Sequence, residues 1–214
     1  MAPSPAPLAP LRIVVVGILL VAIDLNLEAF DVLVDPVGYA LVAWGLGRLA
    51  PAHPAFGWGR TAALVGIVTS TAGIFLRRVD PGTSTVVEHP LVAVADTIVE
   101  AIVVIAVCTA LLALSRDPRV VGPARTLRVA LPAVSVVGTM VALSLLPLEG
   151  SSLDTTSGGA AALAGAVAVL GIVLVVVSLA LAIWFIIVLL RAAREPAPAG
   201  PPQDLLSPPA TAAS

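Results

Sequence analysis

The chain has 214 residues, 59% of them hydrophobic and 11% charged, with a net charge of −2 and a mean hydropathy of +1.09. A soluble domain is about half apolar and about a quarter charged, so this balance excludes an ordinary soluble domain and makes the lipid bilayer the first partner. All eleven basic residues are Arg and form no basic stripe, which excludes a nucleic-acid partner.

The first ten residues, 1–10, read as a short N-terminal segment ahead of a helical transmembrane domain at 11–194. Arg12 and the apolar run after it resemble a secretory signal, but no small-x-small cleavage site follows Ile23, so an uncleaved first span is expected. Leu11 to Ile23 reaches only about 20 Å as a helix, short of the roughly 20 apolar residues a crossing needs. Continuation to Val32 restores the length and brings Asp24 and Glu28 inside or just beneath the membrane boundary. Asp35-Pro36 then reads as a helix start, with Asp at the N-cap and Pro at the first helical position. The following helix runs over 36–50 and ends before Pro51.

Four further apolar runs follow, at about 59–77, 90–114, 127–147 and 160–190. The last would extend about 46 Å as a helix and carries a small-residue stripe, Ala160, Ala164, Ala168 and Gly171, suited to close helix packing. Residues 195–214 are Pro/Ala-rich and predict a disordered tail, too poor in large apolar side chains to offset its ordering entropy. The fold class is therefore all-α, a polytopic helical membrane protein of six transmembrane helices, with five as the alternative if the first hairpin crosses once.

Positive residues stay on the cytoplasmic side of a membrane. Six spans with both termini cytoplasmic put Arg12, Arg48, Arg60, Arg116, Arg119, Arg125, Arg128, Arg191 and Arg194 inside, against Arg77 and Arg78 outside. The expected location is a bacterial cell membrane, and Phe56, Trp58, Trp184 and Phe185 would lie near its inner interface.

The acids carry the functional question. On one continuous helix Asp24, Glu28 and Asp31 fall within an arc of about 60°, while Asp96 and Glu100 form an i,i+4 pair in the fourth span. Ionisable groups inside a membrane are costly and mark ion paths, proton relays or ligand sites. These five residues, Asp24, Glu28, Asp31, Asp96 and Glu100, are the candidate polar or ion site, open to the outside if the first and fourth spans pack together. Oxygen ligands without thiolate suit a hard cation such as Ca²⁺ or Mg²⁺, although the spacing matches no named metal loop. The competing reading is a solvated outer rim, with Arg77 and Arg78 pairing with the acids. Thr69, Ser70 and Thr71 are expected to bond back to their own helix.

No HExxH, G-x-S-x-G, P-loop or dinucleotide fingerprint occurs, so no enzyme activity and no cofactor are expected. His53 and His89 each adjoin a Pro and read as loop residues. Cys108, the single cysteine, permits no internal disulfide and reads as a small buried hydrophobe.

The stretch DLNLEAFDVLVDPVGYALVAWGLGRL, residues 24–49, resembles the first hairpin of a group of small, uncharacterised bacterial multi-pass membrane proteins, with the pattern D-h-L-P-D-h-h-G-Y-h-L…G-L (h apolar). Asp31, Leu33, Asp35, Gly38, Tyr39, Leu41, Gly45, Leu46 and Leu49 stand at matching positions, whereas Val34 replaces the pattern's Pro and Pro36 follows instead. The resemblance implies a membrane address and no activity. Two functions stay open: an outward-facing acid site for a cation or proton, or a structural or accessory subunit docking a membrane-protein partner or a second copy through its helices.

Overall fold

A computed structural model describes residues 8–22, 31–76, 78–79, 86–87, 89–149 and 158–195. Among these the chain forms six helices: α1 (Leu11–Ala22), α2 (Asp31–Leu49), α3 (Pro54–Leu76), α4 (Pro90–Leu114), α5 (Pro118–Glu149) and α6 (Gly158–Ala192). Between α3 and α4, β1 (Arg78–Val79) pairs antiparallel with β2 (Val86–Val87), Arg78 opposite Val87.

Three helices start on a Pro with a side-chain acceptor just ahead of it. The His53 Nδ1 accepts from the Ala55 N–H at 3.1 Å, His89 Nδ1 from the Leu91 N–H at 3.3 Å, and Asp117 Oδ1 from the Arg119 N–H at 2.8 Å. Pro is preorganised for the first helical position, and the preceding acceptor satisfies an orphan donor. The two histidines thus act as caps. Asp117-Pro118 also moves the start of α5 back from the expected 127, leaving only Ser115–Asp117 between α4 and α5.

The cap expected at Asp35-Pro36 does not form. Helix α2 begins at Asp31 and takes Pro36 into its interior, removing the helical donor for the Val32 carbonyl. Backbone in lipid has no water to satisfy its peptide groups, so continuing a helix through Pro is the lesser cost. Asp31 therefore belongs to α2 and not to a first helix running to Val32. Asp24 and Glu28 lie outside the described residues, as does the 195–214 tail beyond Glu195.

Each helix packs on its sequence neighbour, and α6 closes back on α1. The α1–α2 pair is antiparallel and held by glycines. A Cβ on Gly17 would stand 2.6 Å from the Gly38 carbonyl oxygen, and one on Gly45 2.6 Å from a Val14 methyl. Across the α2–α3 contact, a Cβ on Gly66 would stand 2.7 Å from the Tyr39 ring. Small residues let backbones approach where helix burial gives no hydrophobic gain over lipid. The glycines of the resembled hairpin, Gly38 and Gly45, are thus packing requirements. The two arms make an antiparallel pair within the bundle.

The helices are apolar outward as well as inward: Phe75 is 82% exposed, Met140 68% and Ile172 65%. So extensive an apolar exterior requires lipid. Four helices, Pro54–Leu76, Pro90–Leu114, Pro118–Ser144 and Gly165–Ala192, are long and apolar enough to cross a membrane. The protein is an all-α integral membrane protein. Of the aromatic residues expected at an interface, Trp58 and Trp184 face outward, but Phe56 and Phe185 are buried in the core. Cys108 is fully buried.

Candidate functional site

Helix α4 is the most enclosed of the long helices, with 44% of its span buried against 6% for α5. Its lower half, Val103 to Leu111, packs tightly; one turn above Val104 the packing opens into a cavity of 380 Å³. Among the described residues its walls come from five helices: Ile18 and Val21 of α1, Tyr39 and Val42 of α2, Glu100, Val103 and Val104 of α4, Leu131 and Ser135 of α5, and Val175, Ser178, Leu179, Ala182 and Phe185 of α6. The walls are mostly apolar. Among the described lining residues Glu100 is the one that carries a charge, with Tyr39, Ser135 and Ser178 supplying hydroxyls.

Glu100 is the eleventh residue of the 25-residue α4, about 15 Å along the helix from Pro90 and so near mid-span. Its side chain is exposed to the cavity and has neither a hydrogen bond nor an ion pair among the described residues. Asp96 and Asp35 both lie within its electrostatic reach.

Asp96 and Glu100 are separated by one helical turn and differ in surroundings. The Thr69 hydroxyl of α3 donates to the Asp96 carboxylate, binding α3 to α4, and the same hydroxyl lies 3.2 Å from its own helix's Gly66 carbonyl. Ser70 and Thr71 do bond back, to Gly66 at 2.6 Å and Ile67 at 2.6 Å. A second hydroxyl contact, Thr97 with Thr139 at 2.6 Å, joins α4 to α5. Asp96 is thus a partnered interhelical group, while Glu100 faces open space.

The structure therefore divides the five candidate acids. Glu100 and Asp96 stand together on α4. Asp31 opens α2, its side chain outside what is described, and Asp24 and Glu28 lie outside altogether. Asp31 belongs to α2, the antiparallel partner of α1. Helix α4 packs chiefly on α3 and α5, and meets α1 across the cavity. Among the described residues no three His, Cys, Asp or Glu side chains gather as a metal site. Sequence reasoning missed Tyr39, Ser135 and Ser178. Tyr39 follows Gly38 in the hairpin pattern, but the isolated serines of α5 and α6 carry no signal beyond being polar in apolar spans.

Comparison with known proteins adds no relative: no protein-family model, no curated protein and no solved structure matches the chain.

Proposed function

We propose that this is a small multi-pass protein of a bacterial cell membrane, with both chain ends cytoplasmic, that takes a cation or a proton at Glu100. The observation behind it is the Glu100 carboxylate itself, facing a mid-bundle cavity without a partner among the described residues. A carboxylate there is expensive and is retained where its charge is used. The orientation rests on Arg placement: the bundle end bearing Leu8 and Glu195 also carries nine of the eleven Arg. The role proposed is binding or passage. The kinship suggested by residues 24–49 belongs to the same proposal.

One observation favours an accessory role as second reading. Cβ atoms built on Gly165 and Gly171 of α6 would meet nothing within 4 Å, leaving small positions free to receive another helix.

The test is thermal stability of the purified chain in detergent, over pH and over inorganic and organic cations, for the parent and Glu100→Gln. A ligand at 100 times its Kd stabilises by about 2.7 kcal/mol. A shift in the parent that Glu100→Gln lacks is expected. No shift in either protein, with the variant equally or more stable, overturns the reading and turns attention to α6 and its partner.

A further inference from the structure

We propose that the cavity binds a lipophilic organic cation, its single positive head against Glu100 and its apolar body between α1, α5 and α6. This rests on the reading of Glu100 as a cation site and names the class of ligand.

Three features of the cavity point the same way. The first is its size: 380 Å³ falls within the range of about 300–1,000 Å³ typical of small-molecule sites and far exceeds what a proton or a bare ion occupies. The second is its chemistry. A divalent cation such as Ca²⁺ takes about six to eight oxygen ligands, whereas one carboxylate and three hydroxyls stand here among valines, leucines and a phenylalanine. An ion with a shell of water would meet mostly hydrocarbon. An ammonium or phosphonium with hydrocarbon substituents matches both parts of the wall, and the Tyr39 and Phe185 rings add faces that attract organic cations.

The third feature is charge. Among the described residues no Arg or His lines the cavity, and Asp96 and Asp35 add negative field at Glu100. A cationic head neutralises the acid, whereas an anion of the same shape is repelled. Access follows from α6: Leu179 lines the cavity and is 58% exposed in a bundle whose exterior is apolar, so an opening beside it borders lipid, where an amphipathic cation concentrates and a hydrated ion does not.

The test is equilibrium binding of tetraphenylphosphonium to the full chain in phosphatidylcholine nanodiscs, beside tetraphenylborate, an anion of the same shape. The parent should bind the cation saturably, one per chain, and the anion at least about tenfold more weakly, a difference of 1.4 kcal/mol. Glu100→Gln should lose the cation preference. Ala182→Phe, which fills the cavity and keeps the acid, should weaken phosphonium binding about tenfold while leaving the Glu100-dependent response to protons or small ions intact. Equal binding of both ions, or unchanged phosphonium affinity in both variants, overturns the proposal and makes the cavity a slot for lipid chains. If the parent binds no phosphonium but keeps a Glu100-dependent response to small ions or pH, the ligand class is wrong and the site stands. If that response is missing as well, both readings fall.

Discussion

The two ends of the bundle are built on different principles. At the end where the described chain begins and finishes, Leu11, Leu46, Leu49, Phe56, Leu111, Leu127 and Leu189 are all essentially inaccessible and form one cluster across all six helices. Connections there are short and capped. Ser115 donates to the Glu195 carboxylate, tying the α4–α5 linker to the end of α6, and Arg48 lies 5.3 Å over the Trp44 ring. Towards the opposite end the same helices enclose a cavity bearing an acid, and polar contacts such as Thr69 with Asp96 hold neighbours together. One end is closed by shape and the other is left open around a charge. Lipid tails are as apolar as leucine, so helix association depends on fit and on specific polar contacts. Where fit is given up, space for a ligand follows.

Three pairs of substitutions probe that contrast, each read as the thermal or denaturant midpoint of the purified chain. The largest effect is expected from Leu111→Ala in the closed end, a loss of about 2–5 kcal/mol because a void opens among tightly packed neighbours. The same truncation at Leu179, beside the cavity and half exposed, should cost under about 0.5 kcal/mol. Equal losses at the two sites would erase the distinction between the ends.

Next comes Gly38→Val, expected to destabilise by about 1–3 kcal/mol or more, since even its Cβ would stand 2.5 Å from a Val21 methyl and 2.9 Å from the Gly17 carbonyl oxygen. Gly171→Val enters open space and should leave the midpoint nearly unchanged. A large loss at Gly171 would instead reveal a helix partner on α6. Smallest is Asp117→Ala, which removes the cap of α5 and should cost about 1 kcal/mol. His89→Ala should cost less, because its 3.3 Å contact is longer than the 2.8 Å contact of Asp117. A reversal of that order would mean that capping is not what sets these helix starts.

The contrast also explains how much could be read without the structure. Membrane class, the long apolar helices α3 to α6 and the burial of Cys108 follow from composition and run length, because the bilayer imposes one length and one polarity on any span. Asp35-Pro36 and Asp117-Pro118 show where local reading stops. Both dipeptides carry the same start signal, yet only the second caps a helix. At Asp117 a three-residue linker emerges from a closed end. At Asp35 the antiparallel contact of α2 with α1 carries the helix on to Asp31.

The candidate acids divide in the same way. An i,i+4 spacing on an apolar helix is enough to single out Asp96 and Glu100. Their different surroundings depend on Thr69, which is 27 positions distant from Asp96, and on cavity walls drawn from α1, α2, α5 and α6. The chain by itself determined the solvent, the helices and the costly charges, all local consequences of composition and period. Only the tertiary structure decided which charge was given a partner and which was given space, because partners and space are supplied by residues remote in sequence.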